Sequence, residues 1–162
     1  MKSIPLIALT ALFATVPAAL SAQAVRAPGY VRQAGASDLY ERTSSELMLR
    51  SRNPEIRRYA TMMIRDHRRS TAEVTAAARA SGVRPMPPRL MPRQARDIAA
   101  LRAARGPDRD RLYLEQQRMA HREALELHRT YAQAGDARPL RRVATTVVPV
   151  VQHHLEMLRD MR

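Results

Sequence analysis

Residues 53–82 read NPEIRRYATMMIRDHRRSTAEVTAAARASG and contain the signals for both ends of one long helix. Asn53 can cap the first turn, Pro54 suits the first helical position, and Glu55 favours the positive end of the helix dipole. Gly82 supplies a common stop signal. Apolar residues recur at helical spacing between these ends, which predicts a helix from Pro54 to just before Gly82 with one face in a core.

Similar start and stop signals divide the rest of the chain. We expect helix one from about Tyr30 to Arg50, an extended proline-rich connector over 84–92, a short helix from Arg93 to Arg105, helix three from about Asp108 to Ala134, and helix four from an Asp136 cap to the C-terminus. The chain has no cysteine and only one phenylalanine. Its core must therefore consist largely of aliphatic residues, methionine and tyrosine, which suits an all-α bundle better than a sheet.

The first 24 residues have the pattern of a cleaved export signal. Lys2 supplies the positive start, residues 4–16 the apolar stretch, and Ala22-Gln23-Ala24 the small-residue cleavage site. The apolar stretch is too short, and too often interrupted by proline and threonine, for a membrane anchor of about 20 residues. We therefore expect cleavage after Ala24 and one mature helical domain over residues 25–162.

The chain is strongly basic, with 28 lysines and arginines, 15 acidic residues and a formal net charge of +13. Such a charge is typical of proteins that bind nucleic acid. Here, however, the arginines are spread over every segment, and no aromatic residues interleave with them to form a stacking platform. The sequence therefore argues against nucleic acid. Two alternatives remain: a solvated arginine-rich surface, or contact of that surface with anionic lipid headgroups or polysaccharide.

Counting 100° per residue places histidines on the apolar stripes of three predicted helices. These are His67 in the helix quoted above, His121 and His128 in helix three, and His154 in helix four, whereas His153 points away from the core. We expect His128 at the solvated end of helix three. Glu46 lies at the border of the inward face of helix one. One carboxylate and three imidazoles could therefore meet inside the bundle.

Two interpretations of these inward residues remain open. In the first, they form a buried polar network, since an imidazole is satisfied by one carboxylate or carbonyl across a bundle. In the second, they bind one metal ion, and imidazoles with one carboxylate suit zinc, copper or ferrous iron. The ligands would be Glu46, His67, His121 and His154. Methionines near His67 and His154 would favour cuprous copper, although methionine more often fills an irregular core.

Four motifs occur in a fixed order: Ser45-Glu46-Leu47, Tyr59 to His67, Tyr113-Leu114 with His121, and Ala144 to Pro149 with His154-Leu155. They resemble an exported bacterial family catalogued as domain of unknown function 4142, and the resemblance covers nearly all of residues 25–162. It implies a ferritin-like fold, which is an antiparallel four-helix bundle with a long crossover, here containing the short extra helix. It also implies a protein of the periplasm or outer membrane, with characteristic polar positions at Glu46, Asp66, His67, His121 and His154.

Ferritin-like proteins often bind two irons through a glutamate from each of two helices and a Glu-x-x-His motif from each of the other two. Here Ile64, Arg118 and Val151 stand three residues before the histidines, and none can bridge two irons as a carboxylate does. The sequence therefore argues against a di-iron centre. Asp66 either orients a histidine ligand or pairs with a neighbouring arginine on the surface.

The sequence contains none of the common catalytic patterns: no cysteine nucleophile, no glycine-rich phosphate loop and no convincing Ser-His-Asp arrangement. We therefore expect a binding or envelope-stress role rather than catalysis, with one metal ion at the inward residues as the first hypothesis. The alternative is a non-metal interaction protein whose basic surface docks on anionic envelope components. A third hypothesis is an oxidoreductase that uses a bound transition metal.

Overall fold

The computed structural model describes residues 26–161, which form five α-helices and no strand. The helices are α1 (Ala27–Met48), α2 (Pro54–Ala80), α3 (Pro92–Ala103), α4 (Gly106–Ala134) and α5 (Arg138–Asp160). The prediction of an all-helical fold is confirmed for these residues, and the helix ends differ from the expected ones by only a few residues. The predicted export signal lies outside the described residues. Within residues 26–161, no helix is long and apolar enough to cross a membrane.

The ends of α2 show how local sequence sets these bounds. The Asn53 side chain accepts a hydrogen bond of 2.9 Å from the Glu55 amide, which caps the first turn. At the other end Gly82 has a φ of 71°, a backbone conformation that favours glycine. The Val83 amide then donates to the Ala78 carbonyl at 2.9 Å and closes the helix.

The predicted cap at the start of α5 is wrong. Asp136 is close to the helix, but α5 begins without a side-chain cap. The Asp136 carboxylate instead accepts hydrogen bonds from the Ala27 amide, at 2.8 Å, and from the Tyr131 hydroxyl, at 3.0 Å. Asp136 has the residue type of a helix cap, but its carboxylate makes a tertiary contact instead. This contact joins the start of α1 to the α4–α5 connection.

The four long helices form a four-helix-bundle-like fold in which α1 packs against α2 and α4, and α5 packs against the same two helices. Two apolar clusters show the helix directions. One cluster joins the end of α1, the start of α2, the start of α4 and the end of α5, through Met48, Ile56, Tyr113 and Leu158. The other joins the opposite ends, through Tyr30, Val74, Tyr131 and Leu140. Each long helix is therefore antiparallel to the two helices that it packs against.

The connection from α2 to α4 runs from one end of the bundle to the other. The helix α3 is part of this connection. α3 packs against α1 and α4. Its Leu101 side chain is fully buried in the same apolar cluster as Met48, and its Ile98 packs against Tyr40 and Ala120. The crossover is therefore part of the core.

This packing predicts that truncating the crossover helix destabilises the whole bundle. Leu101→Ala should lower the free energy of unfolding by about 2–5 kcal/mol, because it removes buried methyl groups and leaves a cavity. Leu49, which is 43% exposed, provides the matched control. Leu49→Ala should change that free energy by no more than about 0.5 kcal/mol in the same urea titration. Equal effects of the two substitutions would contradict a structural role for α3.

Candidate metal centre

A polar layer lies between the two apolar clusters of the bundle, and three histidines meet there. His67 comes from α2, His121 from α4 and His154 from α5, and all three are buried. One ring nitrogen from each histidine lies within 4.8 Å of one ring nitrogen from each of the other two. His153, by contrast, is exposed on the outer surface of α5. Helical face counting therefore selected the histidine of α5 that points inward.

The carboxylate in this layer is Glu41, and the expectation for Glu46 is wrong. Glu46 is exposed on α1, whereas Glu41 is fully buried. The two positions are five residues apart, so they differ by about 140° around the helix. The buried face of α1 carries polar residues around Glu41, namely Asp38, Ser44 and Ser45.

The potential ligand atoms are separated by distances suited to a small cation. The Oε2 atom of Glu41 lies 2.7 Å from Nε2 of His67 and 3.6 Å from Nε2 of His121. Nε2 of His121 lies 3.3 Å from Nδ1 of His154. Ligands bonded at 2.0–2.1 Å around a tetrahedral zinc ion are about 3.3 Å from one another. Around such an ion the Glu41–His67 separation would widen, and any pair of histidine nitrogens near the 4.8 Å limit would have to approach.

Each histidine has an outer acceptor for one of its ring N–H groups. His67 donates from Nδ1 to Oδ1 of Asp38 at 2.8 Å. His121 donates from Nδ1 to the Gln117 carbonyl at 2.8 Å. His154 donates from Nε2 to Oδ2 of Asp66 at 3.2 Å. Such outer hydrogen bonds fix the ring orientation and tautomer of metal-bound histidines.

These outer hydrogen bonds determine which nitrogens face the centre. Carboxylate and carbonyl oxygens only accept, so the outer nitrogen of each ring must carry the proton. When His121 and His154 are neutral, their inner nitrogens are therefore both acceptors, and these face each other at 3.3 Å. Two facing lone pairs repel unless a proton or a metal ion lies between them. The centre of the layer is thus arranged to receive a cation.

The electrostatics of the layer keep two of the imidazoles available as neutral ligands. Burial lowers the pKa of His121, and burial together with the neighbouring histidines lowers the pKa of His154 to about 4. Burial also disfavours a charge on His67, but the Glu41 and Asp38 carboxylates outweigh it and raise the pKa of His67 to about 10. Burial alone would raise the pKa of the Glu41 carboxyl. The neighbouring His67 outweighs burial and holds this pKa well below its usual range.

Asp66 makes both of the contacts that the sequence left as alternatives. Its carboxylate accepts a hydrogen bond from His154 and forms an ion pair with Arg65 at 2.8 Å. It is adjacent to His67 in sequence, yet the histidine it orients belongs to α5. The carboxylate that orients His67 is Asp38, which is itself held by the Thr71 hydroxyl at 2.9 Å.

Sequence reasoning missed Glu41 and Asp38, although α1 contains a signal for one of them. Buried residues recur every seven positions along α1, and Glu41 occupies one position of that row. The other members are Ala27, Ala34 and Met48. A single charge in an otherwise apolar seven-residue repeat indicates a polar group inside a bundle. Asp38 has no comparable signal, because its burial depends on the position of His67 in α2.

The methionines near the histidines belong to the apolar core. Met63 is fully buried, and it lies in one cluster with Ile56 and Tyr59, against which Met157 also packs. Thioether ligands would favour cuprous copper. The packing of these two side chains is that of methionine filling a core.

The pKa of His67 predicts how the metal-free protein responds to alkaline pH. Between pH 7 and 9 an unfolded His67 is neutral, whereas the folded one retains its proton until pH rises through about 10. The free energy of unfolding should therefore fall as pH rises, by at most about 1.4 kcal/mol per pH unit, in urea titrations of chelator-treated protein. His67→Gln should abolish this slope and His153→Gln should preserve it. An unchanged free energy from pH 7 to 9 in the wild type would show that His67 is neutral.

Comparison with known proteins supports the helical architecture. Residues 14–161 match the model of the family described as "Domain of unknown function (DUF4142)". The chain is also similar to the crystal structure of a DUF305 fragment from Deinococcus radiodurans, with a TM-score of 0.70 over 82% of this chain and 92% of that one. Their sequence identity is 20%, so this likeness shows the fold alone. No curated protein matches the chain. The family match extends over nearly the whole sequence, and the chain therefore belongs to the DUF4142 family.

Proposed function

We propose that this protein is an exported ferritin-like bundle that binds one divalent transition-metal ion through Glu41, His67, His121 and His154. The observation that carries the proposal is the pair of facing acceptor nitrogens on His121 and His154, 3.3 Å apart, with a buried carboxylate beside them. The role that follows is metal binding in the cell envelope, in keeping with the export signal expected from the sequence.

A purely structural polar network accounts less well for the inner atoms. Oε2 of Glu41 and Nε2 of His67 are 2.7 Å apart, but the contact lacks the angle of a hydrogen bond, and neither atom has another hydrogen-bond partner in the described residues. Buried polar atoms without aligned partners are costly. Atoms that converge on one point without being aligned to each other are instead typical of ligands around a shared ion.

The ligand chemistry narrows the choice of ion. Three imidazoles and one carboxylate suit zinc, copper in its cupric state and ferrous iron, whereas cuprous copper would be favoured by thioether ligands. Once bound, such an ion supplies positive charge that offsets the buried Glu41. The chain's own contribution is to orient the three rings through Asp38, Asp66 and the Gln117 carbonyl.

The ferritin-like part of the proposal is supported by the helix directions. Each long helix is antiparallel to the two against which it packs, and the only long connection in the described bundle crosses from α2 to α4. A single crossover connection is characteristic of ferritin-like bundles. The set of metal ligands proposed here differs from the paired Glu-x-x-His motifs of the di-iron ferritin-like proteins.

Adjacent histidines on α5 allow a matched test of metal binding. We expect near-stoichiometric metal by elemental analysis of wild-type protein expressed with its own leader and purified without chelator or histidine tag. His154→Ala should lower zinc affinity by more than about 100-fold, since even removal of an outer hydrogen-bond partner costs 10–100-fold. His153→Ala removes an exposed imidazole one residue away and should leave the affinity unchanged.

Absence of metal, with no uptake of offered zinc, cupric copper or ferrous iron, would contradict the proposal. It would favour the alternative function, in which the arginine-rich surface docks on anionic lipid headgroups or polysaccharide. That alternative predicts envelope association that survives His121→Ala and is lost at high salt, because exposed charges are screened.

The orienting role of Asp38 gives a second prediction about the same centre. Asp38→Asn keeps the side-chain shape but removes the charge that orients and polarises His67, so zinc affinity should fall by about 10–100-fold. Asp97→Asn, on α3, provides a control that should leave zinc affinity unchanged. Zinc titration against a competing chelator measures both. An affinity of the Asp38 variant equal to that of the wild type would show that the charge of Asp38 does not contribute to metal binding.

A further inference from the structure

A cavity of about 480 Å³ lies between α2 and α5, beside the histidine layer. Its inner end touches His67 and His154, and its outer end reaches Arg142 near the start of α5. Twelve residues of helix separate Arg142 from His154, which corresponds to about 18 Å. The cavity is therefore elongated along the bundle, and its volume is within the range of ligand sites, about 300–1,000 Å³.

The side of the cavity formed by α5 is largely apolar. Four valines line it, Val143, Val147, Val150 and Val151, with Thr146 among them, and Ala124 of α4 adds to it. Val150 is 41% exposed, which makes it one of the few large apolar side chains on the described surface. A largely aliphatic wall of this kind binds an aliphatic chain by removing apolar surface from water.

The charges that line the cavity leave one cation without a partner. Among the carboxylates, Asp38 accepts from His67 and Thr71, Asp66 pairs with Arg65 and His154, and Glu73 pairs with Arg69. Arg142 also lines the cavity, and no carboxylate lies within ion-pair distance of it in the described part of the chain. The cavity therefore has acidic groups that are already paired and a free guanidinium at its outer end.

Two further polar groups line the cavity. The Ser70 hydroxyl is buried without a hydrogen-bond partner in the described residues. His128 is buried on α4, and its Nδ1 atom is hydrogen-bonded to the Tyr30 hydroxyl at 2.9 Å, which leaves Nε2 for a ligand. Most ligand sites combine an apolar lining with a few such polar groups.

We propose that this cavity binds a medium-chain aliphatic carboxylate. Its hydrocarbon chain lies along the valine wall of α5, and its carboxylate pairs with Arg142. The opposite orientation would place the carboxylate beside Asp38 and Asp66. Nine residues separate Arg142 from Val151 and span about 13 Å, which suits a chain of about eight carbon atoms. This site borders the metal centre at His67 and His154, but binding of the carboxylate does not require a bound ion.

Calorimetric titration of the chelator-treated mature protein with octanoate tests the proposal. Octylammonium has the same hydrocarbon chain and the opposite charge, so it is the matched control ligand. We expect octanoate to bind with one site per chain and at least about tenfold more tightly than octylammonium. Equal binding of the two would overturn the assignment of a carboxylate, and binding of neither would overturn the cavity as a site for aliphatic ligands.

Substitutions within the cavity locate the bound octanoate. Val147→Phe fills the space and should weaken binding by at least about tenfold, whereas Val148→Phe, at a half-buried position outside the lining, should not. Val150→Glu is a second test that does not disturb the core, because this side chain is partly exposed. It introduces a negative charge in the wall and should weaken octanoate binding without affecting folding, which circular dichroism monitors. Full affinity in both variants would overturn the proposal.

The carboxylate end is tested at the exposed arginine. Arg142→Gln should weaken octanoate binding by about threefold to tenfold, the effect expected of a solvent-exposed charge pair. Arg122→Gln, at an exposed position of α4 outside the lining, should not weaken it. Because these titrations use metal-free protein, octanoate binding without zinc binding would contradict only the proposed function, and zinc binding without octanoate binding would contradict only the present inference.

Discussion

The contact between Glu41 and His67 is the constraint on which the middle of the bundle depends. It places a carboxylate and an imidazole 2.7 Å apart, both almost fully removed from water. A buried charge without a partner would be strongly destabilising, so each of these groups requires the other, or a cation, to remain inside. Two neighbouring residues of α1 bond to this pair. Asp38 accepts a hydrogen bond from His67, and the Ser37 hydroxyl donates one to the second carboxylate oxygen of Glu41. The rest of the polar layer is assembled around this pair.

The two apolar clusters make such a layer possible. They close the bundle at both ends, with tyrosines and aliphatic residues from all four long helices. Apolar burial at the ends favours folding and offsets the cost of removing polar groups from water in the middle. It also fixes the axial positions of the helices, and this brings His67, His121 and His154 to one level. A ligand set on three helices depends on that alignment.

The buried face of α5 lies beside both the histidine layer and the elongated cavity. It presents His154, whose inner nitrogen faces His121. One and two turns earlier on the same face it presents Val151 and Val147, which pack with Ala124 of α4 and line the elongated cavity. The polar centre is thus shielded by the four helices but is adjacent to a space of ligand size. The proposed metal centre and the proposed carboxylate site are therefore neighbours that share His67 and His154 at their boundary.

Caps, glycines and the 3.6-residue period act within one helix, so local sequence predicts the helical class, most helix ends and the inward direction of the three histidines. Local sequence does not predict which carboxylate of α1 joins the histidines. It points to Glu46, whereas the buried carboxylate in the structure is Glu41. That choice depends on the rotation of α1 against α2 and α4, which tertiary packing sets. The same holds for Asp38, Asp136 and the cavity, since each depends on residues distant in sequence being brought together. Local signals define helices, whereas only their packing defines the site.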